Sequence, residues 1–187
     1  MTEKAILILL FLGGVGLYAF LNHRKVRYYL NRALDERVPF LALFVIPYIG
    51  LFPFVILMTV FLVRTSVAME FLVAIVLAMY TASLVWYLFP TGVRRPKLRG
   101  KYTLESVVKW VYAHDDSANA FPSSHVFTAL ITSYYGSLAF PEFSLVLWPI
   151  GVAIALSTVF VKQHYLADVL GGVFWVIGAI AISSYLV

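Results

Sequence analysis

Two polar segments hold the residue types from which a reaction can be built. Phe121-Pro122-Ser123-Ser124-His125 and Lys162-Gln163-His164-Tyr165-Leu166-Ala167-Asp168 each stand where a long apolar run meets a polar loop. His164 and Asp168 are four residues apart, so at the start of a helix they share one face and the carboxylate can accept a hydrogen bond from one imidazole nitrogen. That contact fixes the tautomer and leaves the other nitrogen as nucleophile or base. A pair that only holds a helix end has the same pattern, and the pair alone does not separate the two readings.

The first segment tips the balance toward chemistry. Pro122 suits a first helical turn, Ser123 and Ser124 add hydroxyls, and the amides of a helix N-terminus form an anion pocket. His125 beside a bound anion is placed to give a proton to a leaving oxygen. Arg94 and Arg95, followed by Pro96, supply forked donors that match phosphate oxygens. Jointly the three stretches describe a phosphoryl-transfer site. A metal centre fits less well, because no His-x-x-x-His or Glu-x-x-His pair occurs and clustered arginines would repel a divalent cation. No metal or cofactor is expected. His23 is taken as a lone histidine without a special role, and Glu70 as an interfacial carboxylate.

These residues need a scaffold, and the composition specifies its kind. Of 187 residues 62% are hydrophobic and 12% charged, with a mean hydropathy of +0.91, whereas soluble domains are about a quarter charged. The chain reads as an integral membrane protein. The apolar runs are near-continuous and do not alternate, so helices are expected and not a barrel. Spans are expected over about residues 5–20, 39–63, 67–89, 122–140, 143–161 and 166–187: an all-α, polytopic bundle of six transmembrane helices forming one membrane domain over 1–187. The first run is read as an uncleaved span, since no small-x-small cleavage pattern follows it and Arg24, Lys25 and Arg27 come at once.

Residues 22–38 suit either an amphipathic helix at the interface or a basic juxtamembrane loop. Pro47 and Pro53 predict a kink in the second span. Residues 90–120 form the longest polar stretch, with Arg94, Arg95, Lys97, Arg99 and Lys101 ahead of a short helix over 104–112. Ala167, Gly171, Gly172 and Gly178 are expected where the last helix packs closely on its neighbours. Cysteine is absent, which excludes disulfides and thiol nucleophiles. The net charge of +5 resides in short loops beside apolar helices, so its expected partners are membrane lipid head groups and a lipid phosphate substrate, not nucleic acid. Oligomeric state is not legible.

The motifs resemble those of the type 2 phosphatidic acid phosphatases, whose superfamily includes bacterial acid phosphatases and vanadium haloperoxidases. The family signatures run Lys-x6-Arg-Pro, Pro-Ser-Gly-His and Ser-Arg-x5-His-x3-Asp. This chain has Arg95-Pro96, then Pro122-Ser123-Ser124-His125, then Ser157, His164 and Asp168 at the same spacing. The resemblance implies that His164 attacks phosphorus, that Asp168 orients it and that His125 protonates the departing alkoxide. It further implies that Ser123, the Ser124 amide and Arg95 hold the phosphoryl oxygens, and that water then releases phosphate without metal.

Two family cations are replaced, by Leu88 and Thr158, and Arg94, Lys97 and Lys162 are the candidates to supply their charge. These variants resemble the inositol phosphorylceramide synthase branch, which transfers a phospho-head group to a lipid alcohol. The leading expectation is a lipid phosphatase acting on a phosphate monoester or diphosphate. The alternatives are such a phosphotransferase and a non-enzymatic lipid-binding protein. The loop charges place the site on the cytoplasmic side of the membrane, while the family resemblance implies the extracytoplasmic face of the cell membrane, which is the expectation adopted.

Overall fold

The computed structural model describes residues 2–99 and 103–187; Lys101 lies outside the described residues. The chain is mostly helical. Its helices are α1 (Glu3–Asn22), α2 (Ala33–Arg37), α3 (Val45–Leu62), α4 (Ala68–Leu88), α5 (Thr103–His114), α6 (Ser124–Ala139), α7 (Ser144–Phe160) and α8 (Leu166–Leu186). Two short strands, β1 (Tyr28–Tyr29) and β2 (Thr91–Gly92), pair in parallel, with Tyr28 opposite Thr91 and Tyr29 opposite Gly92.

Five stretches are long and apolar enough to cross a membrane: Glu3–Asn22, Ala42–Leu62, Ala68–Leu88, Pro141–Phe160 and Leu166–Leu186. Hydrocarbon cannot hydrogen-bond a backbone, so each such run closes its own bonds as a helix. Large apolar side chains such as Leu9, Phe52, Ile56, Leu84, Leu145 and Phe174 lie exposed on these helices, as a lipid-facing surface requires. The protein is an integral membrane protein.

The sixth expected span is where sequence and structure differ. α6 has 16 residues, about 24 Å at 1.5 Å per residue, against a hydrocarbon thickness of about 30 Å. It packs on α3, α4, α7 and α8, and its residues from Ser124 to Ala129 are all buried. Four of the five helices of spanning length, α3, α4, α7 and α8, therefore surround a shorter central one. On α6, Thr128, Thr132 and Ser133 are all buried; the Ser133 hydroxyl donates to the carbonyl of Leu147 at 2.9 Å, whereas that of Thr132 has no partner. Gly151 lets α7 approach at that point, since a Cβ there would stand 2.1 Å from Ser133 Oγ.

The connections carry further corrections. Residues 23–38 form no interfacial helix: α1 ends at Asn22, β1 follows, and α2 is five residues long, closer to the loop reading. Arg24 instead reaches across to donate to the Tyr87 carbonyl, and Arg27 N–H donates to the Pro90 carbonyl. The short helix expected over 104–112 is α5. Pro47 falls in the first turn of α3 and Pro53 inside it. On α8, a Cβ at Gly171 would meet the Phe121 ring at 2.3 Å and one at Gly172 would meet Val126 Cβ at 2.7 Å, whereas Gly178 faces open space and is not a packing position.

Helices α1, α4 and α7 run toward the end of the bundle that holds His125 and His164, and α3, α6 and α8 run away from it. That end therefore gathers the C-termini of three helices and the N-termini of the other three.

Candidate active site

The nucleophile half forms in the turn from α7 to α8. Lys162 adopts a left-handed backbone at φ 56°, which reverses the chain and lets the amides of both Gln163 and His164 donate to the Thr158 carbonyl. α8 then opens with Asp168 in its first turn, where a carboxylate is favoured by the helix dipole. Asp168 Oδ2 accepts from the Tyr165 amide at 2.8 Å and stands 3.6 Å from His164 Nδ1, an ion-pair separation longer than a hydrogen bond. Asp168 is fully buried and His164 is 8% exposed. Asp168 Oδ1 and His164 Nδ1 have no hydrogen-bond partner.

The second half is held against the first by backbone. The amide of Ser123 donates to the Asp168 carbonyl at 3.1 Å, and Ser123 is the N-cap of α6. Pro122 therefore stands just outside the helix and not in its first turn; its carbonyl accepts from Trp86 Nε1. The Ser123 side chain makes no capping hydrogen bond, so the amides of His125 and Val126 lack the acceptor that an N-cap serine ordinarily supplies. Ser123 Oγ and His125 Nε2 are both buried without a partner. The rings of His125 and His164 lie 6.4 Å apart, centroid to centroid, inclined at 54°.

The expected cations divide into two groups. Arg95 is turned toward the end of α5: Nη1 donates to the carbonyls of Tyr112 and Asp115, Nη2 to that of Asp116, and the guanidinium lies over the Tyr112 ring at 4.7 Å. Only its buried Nε is unpartnered, so the free fork expected from sequence is absent. Lys162 Nζ likewise donates to the carbonyls of Asp35 and Val38. Partial burial lowers its pKa, opposed by the carboxylate of Asp35. Arg94 is exposed, with its guanidinium 4.9 Å over the Tyr29 ring, and Lys97 is exposed on the same loop. A small pocket beside His164 is lined by Asp35, Val38, Arg94, Lys162 and Tyr165 among others; Ser123 and His125 do not line it.

Leu88 is exposed at the end of α4, and Thr158 is buried with its hydroxyl donating to the Ala155 carbonyl. Neither can replace a charge.

Several residues here gave no sequence signal. Asp35 Oδ2 accepts from the Arg32 amide and Oδ1 from the Leu166 amide, so one carboxylate caps the starts of both α2 and α8. Asp115 accepts from Tyr18, Asn22, Tyr48 and, at 3.5 Å, Gln163. A lone carboxylate among arginines and another in a polar loop look ordinary until distant helices converge on them. His23 pairs with Asp116 at 2.7 Å on the exposed surface. Among the described residues, no group of three or more His, Asp or Glu side chains is gathered to hold a metal ion.

The end of the bundle thus brings together two histidines, a buried carboxylate beside one and a helix N-terminus without a side-chain cap beside the other. Residues 92–187 match the family model described as the PAP2 superfamily, and the chain belongs to that superfamily. The match supports phosphatase or phosphotransferase-type activity in general. Comparison with curated proteins and with solved structures gave no match.

Proposed function

We propose that the protein is a lipid phosphatase that hydrolyses a phosphate monoester or diphosphate through a phosphohistidine. The observation that carries this reading is the facing pair His125 and His164, 6.4 Å apart, with Asp168 behind the second. In the proposed sequence His164 Nε2 attacks phosphorus while Asp168 holds the Nδ1 side. The bond from phosphorus to the leaving oxygen breaks, and His125 gives that oxygen its proton. Water then attacks the phosphohistidine, returns a proton to His125, and inorganic phosphate leaves as the P–N bond breaks. Ser123 Oγ and the Ser124 amide hold phosphoryl oxygens, and Arg94, Lys97 and Lys162 supply charge at the mouth. Arg95 acts by its field and its hold on α5. Phosphoryl transfer needs mainly such positioning and charge neutralisation.

In this reading residues 1–187 act as one membrane unit. α6 is a sixth, protein-enclosed crossing, and the site opens on the extracytoplasmic face of the cell membrane. Because α8 runs away from the site, a reporter active only in the cytoplasm gives signal at the C-terminus if the site faces outward; its silence there places the site inside.

A second reading is transfer of a phospho-head group to a lipid alcohol. Leu88 and Thr158 favour it, because a cradle lacking two cations suits the single charge of a phosphodiester better than a dianionic monoester. Purified protein incubated with labelled phosphatidic acid, phosphatidylglycerophosphate or polyprenyl diphosphate is expected to release free phosphate. Label found only on a second lipid establishes transfer instead, and undiminished turnover in His164→Ala excludes both.

A further inference from the structure

The ring of Tyr48 stacks on that of His125, with centroids 4.2 Å apart and planes 15° from parallel. Phe52 meets the same imidazole edge-on at 6.2 Å. Tyr48 is 3% exposed, and its hydroxyl stands 3.3 Å from Asp115 Oδ2. The other oxygen of Asp115 is held by Asn22 Nδ2 at 2.6 Å and by the Tyr18 hydroxyl at 3.1 Å. Gln163, the residue before His164, reaches Oδ2 at 3.5 Å. Converging four polar side chains from α1, α3 and the α7–α8 turn on one carboxylate at the end of an apolar bundle is costly unless the arrangement is used. Its geometric result is a fixed aromatic wall behind His125.

We propose that Tyr48 and Asp115 are positioning residues for His125: the carboxylate anchors the phenol, and the phenol ring fixes the plane in which the imidazole delivers its proton. This rests on the reading of His125 as the group that protonates the leaving oxygen. Neither residue touches the phosphoryl group. The need for them follows from the leaving group, since a lipid alkoxide is strongly basic and cannot depart without a well-aimed proton, whereas a nitrophenolate departs without one.

The test compares two phosphate monoesters with alkyl tails of matched length, one leaving as an alkoxide and one as a nitrophenolate. For Tyr48→Leu and Asp115→Asn, kcat/KM, which covers only the steps up to departure of the leaving group and not the later hydrolysis of the phosphohistidine, is expected to fall on the alkyl ester by at least about tenfold, a fraction of the 10²–10⁴ that general acid catalysis supplies. On the nitrophenyl ester it should change by less than about threefold, and His125→Ala should show the same selectivity more strongly. Equal losses on both esters indicate a purely structural role and overturn the inference. Tyr48→Phe, which keeps the ring and removes the hydroxyl, covers the case in which the larger changes do not fold; its expected loss is smaller and again confined to the alkyl ester.

A readout independent of turnover is the histidine Cε1–H resonance. Removing the stacked ring in Tyr48→Leu is expected to move the His125 signal downfield, and an unmoved signal overturns the inference even if activity falls. Wild-type protein that turns over neither ester while this resonance still moves sinks the proposed function and leaves the stacking contact standing without a catalytic use.

Discussion

The amide of Ser123 donates to the carbonyl of Asp168 at 3.1 Å, so the start of α6 is fastened to the first turn of α8 by main chain alone. The bond fixes the separation of the two histidine-bearing segments whatever the side chains do. Substitutions in the site can therefore be read for chemistry without first moving its frame.

Asp168→Asn tests the buried carboxylate in this way. An asparagine oxygen can still accept from the Tyr165 amide, so α8 keeps its cap while the charge beside His164 Nδ1 is lost. Thermal stability should change little, and kcat should fall by more than about 10²-fold, as expected when a catalytic imidazole loses its orienting anion. A kcat within threefold of wild type would assign Asp168 to capping alone.

Arg95 donates to three carbonyls at the end of α5, and charge-assisted bonds of this kind matter mainly to stability. Arg95→Ala is expected to cost about 2 kcal/mol, near the middle of the range for hydrogen bonds to charged groups. Arg95→Lys should recover only part, because an ammonium cannot reproduce the fork. Thermal unfolding followed by tryptophan fluorescence measures both; an unchanged midpoint in Arg95→Ala refutes the capping role.

Lys162 combines a left-handed backbone at φ 56° with an ammonium that caps α2. Glycine relieves the first and alanine does not, while both delete the second. Lys162→Gly should thus be more stable than Lys162→Ala by roughly 1 kcal/mol. Equal midpoints would mean that the backbone stores no strain there.

Gly172 faces Val126 Cβ and, at 3.0 Å from a would-be Cβ, the Ser123 carbonyl, which belongs to the bond network at the start of α6. Gly172→Ala should destabilise by about 1–3 kcal/mol, as overpacking does, and lower activity with it. Gly178→Ala, with nothing near the added methyl, should match wild type. Melting curves and phosphate release on both variants decide the point, and identical behaviour would show that α6 can move aside.

What was legible in the sequence is what depends on neighbours along the chain. Near-continuous apolar runs gave the spanning helices, because hydrocarbon forces each run to pair its own backbone. His164 and Asp168 are close because only four residues separate them, although His164 stands in the turn before α8 and not on its face, and Ser123 stood at the head of α6 because an N-cap lies beside its helix. Only the tertiary structure decided the rest. It set α6 as a short helix buried among α3, α4, α7 and α8, with Ser133 donating to the Leu147 carbonyl on α7. It turned Arg95 toward residues 112–116 and Lys162 toward residues 35–38, because long cationic side chains take the nearest unsatisfied carbonyls in space, wherever those lie in sequence. It also brought Tyr18, Asn22 and Tyr48 to Asp115 across more than 60 residues of chain, a convergence that no local spacing encodes.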